Sequence, residues 1–112
     1  MKEIIRGTTP SFFYELPEEL NVSQVTKAVM ILKNAGHVTE IPWARLIRSP
    51  EANAIGHTFT QAETLALRAG TPLLISLTCM AGEVRVNTER QHRLNVIDTD
   101  KNEIMEANGD GS

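Results

Sequence analysis

Alternating apolar and polar side chains between residues 11 and 16 constrain the fold of this chain more than any other feature. In an extended backbone Phe12, Tyr14 and Leu16 share one face, and the opposite face holds Phe13 between two polar residues. A Gly-Thr-Thr-Pro turn precedes this segment and Leu-Pro-Glu-Glu follows it. Successive side chains point to opposite sides of a strand, so the pattern predicts a half-buried β-strand. Similar apolar runs recur along the chain and predict a small all-β domain.

The length of 112 residues leaves room for one domain with one hydrophobic core. The composition, 41% apolar and 22% charged, is typical of a globular protein in water. A single cysteine, Cys79, cannot form an internal disulfide, which fits a reducing compartment or the absence of a redox role. No signal-peptide core or bilayer-spanning stretch is visible. We therefore expect a protein of the cytosol, without a membrane partner, that can later leave in a particle.

The net charge of −3 is distributed unevenly. Residues from Asp98 onward contain five acids and one base, whereas residues 1–97 are close to neutral. Neither part carries the basic stripe that binding to phosphates requires, so we do not expect nucleic acid as a partner. We predict a single domain over residues 1–98, followed by an acidic, polar and flexible tail over 99–112.

Residues 23–33 permit two interpretations. The apolar run from Lys27 to Lys33 leads through Asn-Ala-Gly into a second apolar segment at 37–41, which is typical of a β-hairpin. Alternatively, Ser23 caps a helix on which Val25 and Val29 share a face. We favour the hairpin, because the apolar run is short, continuous and adjacent to a turn.

One helix is predicted over residues 61–68. Thr60 and Glu63 form a capping-box pattern at its start, and Gly70 with Pro72 ends it. Further strands are expected near 46–47, 54–59, 73–80, 83–86 and 91–98, and Ile55, His57 and Phe59 share a face of the second. About seven short strands with one helical crossover are the pattern of an antiparallel β-sandwich.

The residues that could carry chemistry do not form a recognisable constellation. His37, His57 and His92 are far apart in sequence, and we interpret them as isolated surface or rim side chains rather than metal ligands. Cys79 lies at an inward position of the most apolar strand, where a thiol behaves as a small hydrophobic group. The carboxylates lie in turns or at outward positions. We predict no catalytic residue, no metal and no cofactor.

Two places are candidates for contact with other molecules. The segment from Trp43 to Arg48 combines an aromatic ring with Arg45 and Arg48, residue types that are enriched in binding hot spots. The alternative is that Trp43 caps one end of the sandwich and both arginines are solvated. Phe13 lies on the polar face of its strand, where the tail, a loop or another subunit would have to cover it.

Two stretches carry a resemblance to a known group of proteins. Residues 4–17, Ile-Ile-Arg-Gly-Thr-Thr-Pro-Ser-Phe-Phe-Tyr-Glu-Leu-Pro, and residues 59–70, Phe-Thr-Gln-Ala-Glu-Thr-Leu-Ala-Leu-Arg-Ala-Gly, resemble small proteins encoded by tailed phages and prophages of Gram-positive gut bacteria. The likeness spans roughly residues 1–98. It is weaker at residues 43–53 and in the tail. More distantly, the chain is similar to the immunoglobulin-like N-terminal domains of phage upper baseplate proteins, which implies an immunoglobulin-like fold.

The resemblance implies a phage gene for a structural or accessory component of the virion, tail or baseplate. Because the residues form no recognisable active site, we expect this component to have no enzymatic activity. Its partners would be proteins, either further copies of itself or other particle proteins. The alternative is a module that binds a host factor or a carbohydrate through the Trp43–Arg48 segment. An enzyme would require a histidine beside Cys79 in an open cleft.

Overall fold

A computed structural model describes residues 2–87 and 91–106. In chain order its strands are β1 (Glu3–Ile5), β2 (Ser11–Glu15), β3 (Lys27–Asn34), β4 (His37–Ile41), β5 (Ile47–Ser49), β6 (Ala54–Thr58), β7 (Leu73–Ala81), β8 (Val84–Asn87) and β9 (His92–Ile97). One α-helix, α1 (Gln61–Leu65), links β6 to β7, and 3-10 turns occupy Val22–Gln24 and Trp43–Arg45. None of the described helices has the length and apolar character needed to span a membrane.

The strands form two sheets that share one core. The larger sheet has the order β1-β9-β7-β3-β4, with β8 also paired to β7, and the smaller has the order β2-β6-β5. The chain thus has β2, β6 and β5 in one layer and the other six described strands in the second layer. The prediction of an all-β sandwich with one short helix is confirmed.

The pairing of β1 with β9 departs from the purely antiparallel prediction, because these two strands are parallel. The cause is the turn between β1 and β2. Gly7 has a φ of 84°, and the Thr-Thr-Pro segment after it carries the chain from the larger sheet into the smaller one. The first strand-like stretch is therefore divided between both sheets.

Strand β2 is half-buried, as its alternating sequence predicts. Phe12, Tyr14 and Leu16 are buried in the core, whereas Phe13 is on the outer face. The hairpin prediction for residues 27–41 is also confirmed, since β3 and β4 pair from Met30–Ile41 to Asn34–His37. Its turn residues Ala35 and Gly36 both have positive φ, as a two-residue hairpin requires. Ser23 lies in a 3-10 turn that Asn21 caps, so the helical alternative is wrong.

Helix α1 begins where the capping box predicts and ends earlier than predicted. The Thr60 hydroxyl accepts from the Glu63 amide, and the Glu63 carboxylate accepts from the Thr60 amide. After residue 66 the chain is held by the side chain of Asn34, whose Nδ2 lies 3.1–3.4 Å from the carbonyl oxygens of residues 68, 71 and 72. Its Oδ1 accepts from the Arg68 amide at 2.7 Å. These bonds shape a loop where the sequence predicts further helix.

Residues 98–106 contain no strand or helix and lie against the sandwich. Arg6 donates to Asp98 and Asn102 and also to the carbonyl of Leu65. Gln61 makes two hydrogen bonds of 2.7 Å to the backbone of Met105, one through each polar atom of its amide. The last six residues lie outside the described part, so the flexible end of the tail stays a prediction.

Candidate functional site

The outer face of the smaller sheet carries an apolar row formed by Phe13, Gly56 and Ile47. Phe13 of β2 and Ile47 of β5 both pair with Gly56 of the central strand β6. The Phe13 ring lies on the bare backbone of Gly56, where an added Cβ would approach its Cδ1 to 2.5 Å. Phe13 and Ile47 remain 41% exposed. This face of the smaller sheet therefore presents two large, partly exposed apolar side chains.

Polar groups border this row on both sides. The Ser11 and Thr58 hydroxyls lie 2.7 Å apart and form the neighbouring row. On the other side Glu15, paired with Ala54, is exposed. Apolar residues surrounded by polar ones on a sheet face are the arrangement found in protein-protein contact patches.

The Trp43–Arg48 segment is partly buried. Trp43 packs against the core, and the Arg48 guanidinium lies 5.2 Å from the centre of its ring, a cation-π distance. Arg45 donates to the Glu63 carboxylate at 3.0 Å. Both arginines are thus engaged within the molecule rather than only solvated. The structure brings Trp43 and Arg48 together and directs Arg45 towards α1.

Glu63 joins three elements in a partly buried polar cluster, in which the His57 ring is buried and Arg45 is half exposed. Its Oε1 lies 2.9 Å from His57 Nε2 of β6 and 2.8 Å from the Thr60 amide, while its Oε2 accepts from Arg45. His57 is only 2% exposed, so the interpretation of this histidine as a surface or rim residue is wrong. The buried ring is tolerated because Glu63 satisfies Nε2. Its Nδ1 has no hydrogen-bond partner among the described residues.

The electrostatics of this cluster keep Glu63 ionised. Burial raises the pKa of its carboxyl group, but hydrogen bonds from the Thr60 amide, His57 and Arg45 outweigh burial and hold the pKa below its ordinary value. A carboxylate that already accepts from three donors is a poor general base. The cluster therefore fastens α1 and the Trp43 segment to β6 rather than presenting a reactive group.

The other groups that could carry chemistry also have structural positions. Cys79 is fully buried, and burial raises the pKa of its thiol to about 11, so it stays protonated at neutral pH. His92 packs edge-on against Phe12 and Tyr14 from the opposite sheet. Among residues 2–87 and 91–106, no three His, Cys, Asp or Glu side chains are grouped to hold a metal ion. The prediction of no metal or cofactor stays a prediction.

A cleft of about 500 Å³ opens between the β3–β4 hairpin and α1. Leu32, Phe59 and Leu73 line its apolar interior, and Thr39 of β4 and Ala62 of α1 lie at its sides. Glu63 also lines the cleft. The sequence does not indicate this cleft, because it lies between elements far apart in the chain.

The four residues predicted for interaction do not form one surface. Phe13 lies on the outer face of the smaller sheet with Ile47, which sequence reasoning missed as a contact residue. Gly56 was also missed. The sequence does contain a signal for Gly56, because a glycine inside a strand often marks the close approach of another group.

The chain is an all-β, sandwich-like domain with an exposed apolar row on the outer face of its smaller sheet. No protein-family model, curated protein or solved structure matches the chain.

Proposed function

We propose that this protein is a non-enzymatic structural or accessory component of a phage particle, in the virion, tail or baseplate, and that it acts through protein-protein contacts. The observation that carries the proposal is the exposed row of Phe13 and Ile47 over Gly56. A large aromatic ring held against a glycine on a rigid sheet is a preorganised contact element, because little side-chain freedom remains to be lost on binding.

Two further features support this proposal. The phage context comes from the resemblance of residues 4–17 and 59–70 described above. The non-enzymatic part is supported by the buried Cys79 thiol and by the Glu63 carboxylate, whose donors come from its own fold. Synthesis in the bacterial cytoplasm followed by assembly into a particle fits a domain of this kind.

Binding to particle proteins tests the proposal. Tagged protein is incubated with dissociated particles from an induced host strain, and captured proteins are identified by mass spectrometry. We expect wild type to retain a specific particle protein and Phe13→Ser to lose most of it. Val84→Ser removes an exposed apolar side chain from the larger sheet and is the matched control, which should bind like wild type. Equal capture by Phe13→Ser and wild type would remove this face from the proposal.

A carbohydrate- or host-factor-binding module is the second candidate, supported by the stacked Trp43–Arg48 pair. A sugar that stacks on Trp43 from the side of Arg48 would have to displace the guanidinium from the ring. Glycan-array binding by wild type and its loss in Trp43→Ala would favour this candidate, and equal signals from both proteins would exclude the site.

A further inference from the structure

Strand β4 ends the larger sheet with an edge that no other described strand covers. It pairs only with β3, and the register between them is regular, without a bulge. Residues 37–40 are all exposed, and Val38 is 60% exposed. The strand contains neither proline nor lysine, the residues that commonly protect a sheet edge from pairing with another chain.

The other edges are less suited to pairing. The edge strands β1 and β5 have only three residues each, and β8 has four. Strand β2 is as long as β4 but has a proline beyond each end, Pro10 and Pro17, whereas β4 has one only beyond its C-terminal end, Pro42. Prolines lack the amide hydrogen that would extend a ladder beyond the strand.

The hairpin turn determines which backbone groups of β4 point outward. Asn34 and His37 are the pair that closes the two-residue turn, so their backbone groups bond each other. Because hydrogen-bonded and non-bonded pairs alternate along an antiparallel ladder, the amides and carbonyls of Val38 and Glu40 point away from β3. These two residues offer four backbone groups at the free edge.

We infer that this edge pairs with the same edge of a second copy, antiparallel and around a two-fold axis at Thr39. In this register Val38 of each copy lies opposite Glu40 of the other, and the outward groups of both residues form four ladder bonds. A shift that places Glu40 opposite Glu40 juxtaposes like charges, which is unfavourable. A shift that places Val38 opposite Val38 sets Glu40 against the turn residue Gly36.

Charge complementarity supports a second copy as the occupant. Lys33 of β3 lies beside Val38 on the outer face of the sheet. In the inferred dimer, Glu40 of the second copy lies on the other side of the same Val38, about 10 Å from Lys33 between Cα atoms. Both side chains are long enough to meet above Val38 and cover it. The two-fold axis creates this contact twice.

The pairing also brings a second copy beside the cleft. Thr39 lines the cleft from the inner face of β4, and the non-bonded pair at the axis places Thr39 of the second copy directly next to it. The larger sheets of both copies then continue as one. The inference rests on the proposed function, since it assigns one of the protein contacts of the module to a second copy.

Charge reversal with analytical ultracentrifugation tests the pairing. We expect wild type to dimerise in a concentration-dependent manner, because the interface is small. Lys33→Glu and Glu40→Lys should each weaken the dimer about tenfold, because two contacts become repulsive in either variant. An equimolar mixture of these variants should form a heterodimer, and the double variant should dimerise like wild type.

Lys27→Glu is the matched control, because Lys27 lies on the same face of β3 but pairs with Met80 of β7 there. It should leave the dimer unchanged. A wild-type protein that stays monomeric at every concentration would overturn the inference, as would a dimer that Phe13→Ser disrupts and charge reversal does not. Capture of particle proteins is measured separately, so the inference can fail while the proposed function stands.

Discussion

Gly56 allows the Phe13 ring to lie against the outer face of the smaller sheet. A Cβ at this position would lie 2.5 Å from a ring carbon of Phe13 and 2.7 Å from the Phe12 carbonyl oxygen. The ring can move, but the carbonyl belongs to the backbone of β2. We expect Gly56→Ala to lower the free energy of unfolding by about 1–3 kcal/mol in urea denaturation. Adding Phe13→Ala to Gly56→Ala should restore only part of the lost free energy of unfolding, because the clash with the Phe12 carbonyl remains. An unchanged unfolding midpoint in Gly56→Ala would contradict the close approach of β2 to Gly56.

Glu63 gives the protein a defined dependence on pH. Its folded pKa is lowered, so its contribution to stability is present above the unfolded value of about 4.5 and is lost as pH falls through the folded pKa. Glu63→Gln should reduce stability at pH 7 on the order of 1 kcal/mol. The difference from wild type should shrink in acid, below the folded pKa. Thermal unfolding of both proteins between pH 7 and acid pH measures this stability difference. Glu18→Gln, at an exposed position, is the control. A difference that is constant with pH would contradict ionisation of Glu63.

The side chain of Asn34 connects strand β3 to the loop that follows helix α1. From the end of β3, its Nδ2 shares two N–H donors among three carbonyl oxygens of the loop after α1, and its Oδ1 accepts from one amide there. Asn34→Ala should destabilise the fold by about 1–3 kcal/mol and increase amide hydrogen exchange in residues 66–72. Asn34→Asp should not rescue it, because a carboxylate offers no donor to the carbonyls. Asn95→Ala, on the exposed side of β9, should change little. If amide hydrogen exchange in residues 66–72 is unaltered in Asn34→Ala, the Asn34 side chain does not stabilise this loop.

Elements with local causes could be predicted from the sequence, and those with distant causes could not. The start of α1 follows from Thr60 and Glu63, three residues apart, whereas its early end depends on Asn34 from another strand. The faces of β2 follow from its own alternation. The meeting of Phe13 with Ile47 depends on a register across β6, and the burial of His57 depends on a carboxylate supplied by α1. No pattern within a single segment encodes such contacts.

In the whole molecule, the polar clusters around Glu63 and Asn34 connect separate elements, and both proposed contacts lie on the surface. The Phe13 row occupies the smaller sheet, and the free edge of β4 belongs to the larger one. The two contacts are therefore separate, and a dimer joined through β4 would carry two Phe13 faces. Such a dimer should bind an immobilised partner more tightly than a monomer does, because its second contact is intramolecular. Surface plasmon resonance of wild type and Lys33→Glu would measure the difference, and identical dissociation rates would contradict it.

The proposed role in a phage particle can be tested by quantitative mass spectrometry of purified particles from an induced host strain. We expect the wild-type protein at a fixed number of copies per particle, and we expect Phe13→Ser, although folded, to be depleted from particles. Particles that assemble normally and contain none of the wild-type protein would contradict the account.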